Sequence, residues 1–345
     1  MDFGIASILA LDGVTSGAVY ALVAIALVLV FSVTRVIFLP QGEYVAFGAL
    51  TLALFQTGEV PGTVWLLLAM ALLAALVEVA NGLRDKRRPD RVMLEALRGL
   101  AYPVTVSLLA VWIAPHKPPL LVQALVTLAL VTPMGPLVYS LAYRSLADSS
   151  VLVLLIVSVG VHFALTGLGL LFFGAEGYRT PPFWDERFQL GALTLSGQAL
   201  IVFAVTLALM AMLFLFFDRT LEGKALRATA VNRNGARLMG ISTDGAGRLS
   251  FTLAAFVGAL SGLLIGPTTT VFYDTGFLVG LKGFVAAVFA GLASFPAAFG
   301  GALAVGVLES FGSFEASAFK EVIVFTAILP VLLWRSFTDK HREEH

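Results

Sequence analysis

Apolar residues run along this chain in blocks long enough to cross a bilayer, separated by short polar or glycine- and proline-containing breaks. A helix spanning about 30 Å of hydrocarbon needs roughly 20 mostly apolar residues, and windows 14–34, 41–57, 62–81, 119–140, 150–173, 198–217, 248–270 and 319–336 meet that need. Two further stretches are less simple. Residues 93–113 carry Glu95 and Arg98 near one end, so their membrane part begins around Gly99. Residues 278–312 are too long and too glycine-rich for one plain helix, and Pro296 followed by Gly300-Gly301 predicts two short or broken pieces. Between spans, 174–197 is the longest polar interruption on its side. Pro181-Pro182 forbids a helix there, and the alternation from Phe188 to Leu195 predicts a small hairpin, serving either as a connector or as a docking surface for an external partner. The pattern is that of an all-α polytopic transmembrane bundle with about eleven crossings or part-crossings.

Composition agrees and narrows the classes. Of 345 residues, 59% are hydrophobic and 13% charged, whereas soluble domains run near half apolar and a quarter charged. The 22 basic and 22 acidic residues cancel, so no charge excess recruits nucleic acid. With no cysteine, thiol nucleophiles, disulfides and thiolate metal sites are all excluded. The opening MDFGIASILALDG lacks the basic start of a cleavable signal and reads as mature sequence. The basic residues themselves are clustered: Arg84, Lys86, Arg87, Arg88 and Arg91; six between Arg219 and Arg248; then Arg335, Lys340 and Arg342. With Arg35 and Arg144 they fall on one side, which the positive-inside rule makes cytoplasmic. The expected topology puts the N-terminus outside and the tail inside, and counting 278–312 as two pieces is what keeps the basic tail on the inner side.

The roughly 30-residue inner segment 218–247 is unusually long for a polytopic protein. It reads as two short helices: Leu221, Ala225, Leu226 and Ala228 stripe the first, while Ala236, Leu238, Met239 and Ile241 form a patch on the second. Asn232, Asn234 and Gly235 break them apart. A short, partly apolar helix in water packs beneath its own membrane domain or fits a groove on another protein. Thr220-Leu-Glu-Gly223-Lys-Ala-Leu-Arg227-Ala228-Thr-Ala230, followed by Ala236-Arg-Leu-Met-Gly240-Ile241, resembles the cytoplasmic loop of branched-chain amino acid ABC importer permeases, whose pattern runs T-x-x-G-x-x-x-R-A-x-A and then A-x-x-x-G-I. Three other stretches agree in order: Leu11-Asp-Gly13 through Leu22, Gly42-Glu43, and Phe284 through Ser294 with Gly300-Gly301 and Gly306-Val-Leu-Glu309. The similarity covers roughly 1–57 and 119–338.

The resemblance implies a transport subunit rather than an enzyme, with no catalytic residue of its own. Such a permease is half of a channel in a bacterial cytoplasmic (inner) membrane. It works with a second permease, two cytoplasmic ATPases and an extracytoplasmic solute-binding protein. Coupling would run through Gly223, Arg227, Ala228, Ala236, Arg237, Met239, Gly240 and Ile241. The chain would bind no cofactor; ATP and magnesium would sit on the ATPases, in keeping with the absence of a G-x-x-x-x-G-K-[ST] loop here. About eight core spans, broken helices included, would be divided into 1–57, 119–217 and 248–338, with the coupling segment 218–247 and tail 339–345. Residues 58–118 depart from the family as an extra two-helix hairpin, expected to be peripheral. A second departure is Ile37-Phe-Leu-Pro-Gln-Gly42, where the family has Asn-Phe-Ala-His-Gly.

Other residues keep two readings open. Gln41, Glu43, His162 and Lys282 are candidates for the solute pathway, since ionisable groups in spans face cavities or partners; a capping Glu43, a structural His162 and a simple Lys282–Glu309 pair are the plainer readings. Gly258, Gly262 and Gly266 share a helix face suited to close packing. Glu78 near Asn81 reads as a boundary residue. His341-Arg-Glu-Glu-His345 matches a zinc spacing but has no third ligand, so no metal site is expected. Three other functions remain to be weighed: a related sugar or nucleoside importer permease, an ion-coupled secondary transporter, and a membrane-embedded enzyme. The second would want acids or unwound helices in two matching halves, the third a cluster of His, Asp or Glu at one depth.

Overall fold

A computed structural model describes residues 3–190, 193–292 and 294–339. The chain opens with α1 (Phe3–Thr34), α2 (Gln41–Thr57), α3 (Gly62–Arg84) and α4 (Pro89–Ile113). After a 3-10 turn come α5 (Leu120–Val131) and α6 (Met134–Val138), which runs on through a π turn at 139–143, and then α7 (Val151–Phe173). The hairpin β1 (Arg187–Leu190) and β2 (Leu193–Ser196) leads into α8 (Gly197–Arg219), α9 (Leu221–Val231), α10 (Arg233–Leu238) and α11 (Thr243–Ile265). Last are α12 (Thr275–Phe289), α13 (Phe295–Glu315), α14 (Lys320–Thr326) and α15 (Ile328–Asp339). Among the described residues, eight helices are long and apolar enough to cross a membrane, with α12 a shorter apolar one.

Local chemistry sets most boundaries. Ser150, Ser196, Thr220, Asn232, Ser242 and Ser294 each accept a backbone N–H of the helix that follows, satisfying donors that an uncapped start leaves bare. The break expected within 278–312 falls between α12, which ends at Phe289, and α13, which begins at Phe295; Gly291 and Leu292 take positive φ angles, and Pro296 sits in the first turn of α13. Two spans read as continuous are also interrupted. The one at 119–140 breaks at Thr132-Pro133, and the one at 319–336 at Ala327, with Pro330 in the first turn of α15. Proline lacks the N–H that continues a helix, a signal present in both windows. The hairpin expected within 188–195 forms, with Arg187 opposite Ser196 and Leu190 opposite Leu193.

The core is built from α1, α2, α11, α12 and α13. Residues Ala18 to Val30 of α1 and all of α2 from Gln41 to Phe55 are buried. Small residues let backbones touch: a Cβ on Gly306 of α13 would overlap the Gly13 carbonyl of α1, and one on Gly262 of α11 the Val45 carbonyl of α2. In a bilayer, where no hydrophobic force separates helix from lipid, such close approach is what holds helices together. Large side chains on α4, α7 and α8, including Leu108, Trp112, Phe163, Leu171 and Phe214, point outward, an apolar belt suited to contact with lipid or a neighbouring membrane subunit.

The 58–118 hairpin is only partly peripheral. Val64, Leu66 and Leu67 of α3 are fully buried, and the Thr63 hydroxyl meets that of Thr51 on α2. From Leu72 onward α3 turns outward, and α4 lies along it.

The two ends of the bundle differ in charge. At one, Arg84 and Arg87 of the α3–α4 turn share a cavity wall with Arg144 and Arg248, while Arg35 lies beside Asp148 and Arg233. At the other, the 174–196 loop is tied to the 266–272 segment by a Tyr178–Val271 bridge and by Arg179, which donates to the Pro267 and Thr268 carbonyls. Of the basic residues grouped from the sequence, Arg35, Arg84, Arg87, Arg144, Arg233 and Arg248 are thus brought to one end; Lys340, Arg342 and the His341–His345 pattern lie outside the described residues.

Candidate functional site

Three features concern the residues singled out above. The first is a buried pair. The Glu43 carboxylate at the start of α2 meets the His162 Nδ1 of α7 at 2.5 Å, and the imidazole stacks on Phe277 of α12 with ring centroids 4.5 Å apart. Glu43 is fully buried. Its neighbour Gln41 donates to the Ala254 carbonyl of α11 at 2.9 Å. Between them Gly42 presses on α12 so closely that a Cβ there would overlap the Gly276 carbonyl. Together these contacts pin α2, α7, α11 and α12 at one point, and none of Gln41, Glu43 or His162 lines the cavity described next.

The second feature contains Lys282, which sequence grouped with those three but which faces elsewhere. Five positions separate Phe277 from Lys282, a rotation that places them on different sides of α12. The Lys282 ammonium donates to Glu309 of α13 at 2.6 Å and to Glu321 of α14 at 3.0 Å. The Tyr20 hydroxyl of α1 donates to the other Glu309 oxygen at 2.6 Å. The Lys282 side chain is 7% exposed. A lone ammonium there would carry a desolvation cost of several kcal/mol; two carboxylates offset it and leave a formal charge of −1 on the trio. These groups floor a cavity of about 310 Å³, at the small end of the roughly 300–1,000 Å³ typical of ligand pockets. Thr15, Thr268, Thr269 and Thr275 add hydroxyls, and Val202, Leu278 and Val279 add apolar wall. The cavity lies toward the end carrying the 174–196 loop, since Thr268 both lines it and binds Arg179 through its carbonyl. Sequence inspection missed Tyr20 and Glu321. Glu321 sits at a span start beside Lys320, where an interfacial acid is unremarkable, and nothing in the local pattern links it to position 282.

The third feature is the inner segment. α9 and α10 meet at Asn232, whose side chain accepts from the Gly235 amide at 2.8 Å. Asn234 and Gly235 are thus inside α10, not in the break. Leu226 and Ala236 are buried, while Leu221, Val231, Leu238 and Met239 are more than 80% exposed. Arg227, Ala228, Val231, Ala236, Met239 and Ile241 line a shallow, almost wholly apolar groove. The remaining coupling candidates hold it from behind. Gly223 packs under α8, where a Cβ would overlap the Phe216 carbonyl. Arg237 binds Asp148 at 3.1 Å and the Thr243 hydroxyl at 3.0 Å. Gly240, at φ 80°, ends α10 with the left-handed turn that glycine adopts without strain. Arg227 itself donates to the Phe217 carbonyl at the end of α8.

Of the packing glycines, Gly258 and Gly262 lie against α2. Gly266 does not face a helix: α11 ends at Ile265 ahead of Pro267, so Gly266 abuts Thr180 of the outer loop.

With this geometry in place, comparison with known proteins decides the family. Residues 95–333 match the family described as branched-chain amino acid transport system, permease component. The chain belongs to that family. BraD of Pseudomonas aeruginosa, a high-affinity branched-chain amino acid transport system permease protein, is 27% identical over 338 residues, covering 94% of this chain and 92% of that protein. LivH of Escherichia coli K12, of the same description, is 27% identical over 335 residues, covering 93% and 91%. Among solved structures, PsaBC from Streptococcus pneumoniae in complex with Fab covers 93% of this chain at 15% identity and a TM-score of 0.36, too slight a likeness to carry an argument. The protein is a multi-pass inner-membrane permease subunit of an ABC importer, a transport component that works with other subunits.

Proposed function

We propose that this permease imports a branched-chain amino acid or a closely related amino acid or amide, and that two cytoplasmic ATPases drive it through α9 and α10. A second permease would complete the channel, and an extracytoplasmic binding protein would deliver solute near the 174–196 loop. In this arrangement the N-terminus is outside and the C-terminus cytoplasmic. The observation that carries the reading is the surface of α9 and α10: Leu221, Val231, Leu238 and Met239 stand in the open on the basic end of the molecule, and Val231 and Met239 line the groove between the two helices. Exposed apolar patches of this kind mark partner surfaces, and the helix-in-groove mode suits a segment of this size.

The solute class is supported by the descriptions of BraD and LivH and by the character of the Lys282 cavity. Opposite charges beside hydroxyls and a valine–leucine wall complement a zwitterion with an aliphatic side chain. Import would then require the cavity to open inward when the ATPases close and move α9–α10.

Because the chain has no cysteine, a single Met239→Cys reports one contact cleanly. Expressed together with the partner subunits proposed above, this variant is expected to form a disulfide or bifunctional crosslink with an ATPase subunit, while Thr194→Cys on the opposite end gives none. Failure of Met239→Cys and Leu238→Cys alike to crosslink an ATPase in an actively transporting membrane would refute the docking role.

A further inference from the structure

A cavity on the basic end belongs neither to the solute route nor to the coupling groove. It opens between the α3–α4 hairpin and the segment 137–145, with a volume of about 700 Å³. Its wall has two zones along α3. Ala71, Ala74 and Ala75, facing Leu137 and Leu141, form an apolar stretch; Arg84 and Arg87, with Arg144 and Arg248, form a cationic end. From Ala71 to Arg84 is about 20 Å at 1.5 Å per residue, somewhat more than the roughly 15 Å hydrocarbon depth of one leaflet. Small residues make the trench: alanines on α3, Gly82 beyond them, Ala96 and Gly99 on α4. Cavities of this kind in a membrane protein are normally filled by side chains; here the side chains are absent and the slot is left open.

The charges at the wet end are incompletely matched. Arg144 and Arg248 share one carboxylate, Asp244, at 3.2 and 3.3 Å, so one positive charge remains between them. Arg87 is paired with Glu95 at 3.2 Å, whereas Arg84 has no ion-pair partner among the described residues. Glu78 and Asp85 also face the cavity, but the adjoining turn adds Lys86, Arg88 and Arg91 against Asp90, leaving a positive surplus. An apolar slot one leaflet deep that ends in guanidinium groups at headgroup level fits a phospholipid, and basic pockets between transmembrane helices on the cytoplasmic side select anionic headgroups.

We propose that this cavity is a binding site for one anionic glycerophospholipid of the inner leaflet. Its phosphate is held by Arg144 and Arg248, and one acyl chain lies along Ala71, Ala74 and Ala75. The hairpin thereby becomes a lipid-dependent wall fastened to the core.

The test is native mass spectrometry of the full chain in mild detergent, titrated with phosphatidylglycerol or phosphatidylethanolamine of matched acyl chains. Wild type is expected to retain one phosphatidylglycerol at least fivefold more strongly than phosphatidylethanolamine. Arg144→Gln with Arg248→Gln removes that preference. Ala75→Phe, which fills the slot and leaves every charge in place, lowers retention of both lipids; because it acts through volume alone, it keeps the proposal testable if the double arginine variant misfolds. Glycerol phosphate at millimolar concentration should not displace the lipid. Equal retention of the two lipids, undiminished binding in well-folded Ala75→Phe, or displacement by glycerol phosphate, which would make the site one for a soluble anion, each overturns it.

Discussion

Two buried charged clusters touch the same short helix, and they differ in what they leave open. At Glu43–His162, an acid and an imidazole from α2 and α7 are sealed beneath Phe277, with Gly42 pressed against α12. At Lys282–Glu309–Glu321, a cation and two acids from α12, α13 and α14 face a cavity fringed with threonines. Both satisfy the rule that ionisable residues in spans are expensive and therefore paired. Pairing alone consequently does not distinguish a fastening from a site. The distinction is geometric: the first cluster has used its neighbours to exclude space, while the second surrounds space with charge left over.

The comparison is broken most sharply at Lys282. Replacing it by Met leaves Glu309 and Glu321 facing each other in a partly buried site, where breaking a buried pair costs about 3–5 kcal/mol. Uptake in membrane vesicles is expected to fall at least 100-fold. In Lys282→Met with Glu309→Gln and Glu321→Gln, no charge is left without a partner, so membrane abundance should recover while uptake stays lost. Recovery of uptake in the triple variant would demote this cluster to a fastening like the other.

Glu43 should behave in the opposite way. Glu43→Gln keeps a hydrogen-bonding group beside His162 but removes the carboxyl group that makes the contact, so unfolding in detergent should shift by about 1–3 kcal/mol, the usual scale for disturbing a buried hydrogen bond. The solute KM of the folded fraction should stay within about twofold of wild type. A KM change of tenfold or more, with unaltered thermal stability, would move Glu43 and His162 onto the solute path.

How much of this was legible in the sequence follows from the range of the interactions. Spans, the hairpin at 187–196, the two inner helices and the break before Pro296 are written in local signals: apolar length, alternation, Asn232 as a cap, proline. The family was legible because the motif around Gly223 and Arg227 is contiguous. The proline breaks at Pro133 and Pro330 are equally local, but the apolar windows run unbroken across them and hide the interruption. The clusters were not legible as clusters. Glu43 and His162 are 119 positions apart, and Tyr20 and Glu309 are 289 apart, so these residues could be flagged as costly in a bilayer but not assigned to each other; the Lys282–Glu309 contact, only 27 positions long, was the one pairing the sequence suggested, and it forms. Gln41, Glu43, His162 and Lys282 looked alike for that reason, and only the packing of α12 separated them. Likewise, amphipathicity marked Leu226 and Ala236 as part of an apolar stripe, but which residues the stripe turns inward and which, like Leu221, it leaves exposed depends on α8 and α11.

The gentlest way to sharpen the contrast is at the cavity mouth. Thr269 lines the Lys282 cavity and is exposed, so Thr269→Val removes one hydroxyl with little change in volume and no charge. A neutral hydrogen bond contributes about 0.5–1.5 kcal/mol, which corresponds to roughly a twofold to tenfold rise in KM for a zwitterionic solute if the hydroxyl touches it in passage. The maximal rate should be unchanged, because the coupling face lies at the opposite end. Thr166→Val is the matching control beside His162, where the hydroxyl stands 3.5 Å from Nδ1; there KM should not move. Equal KM shifts at both threonines would mean that solute passes both clusters, and the division drawn between fastening and site would have to be replaced by a single continuous path along α12.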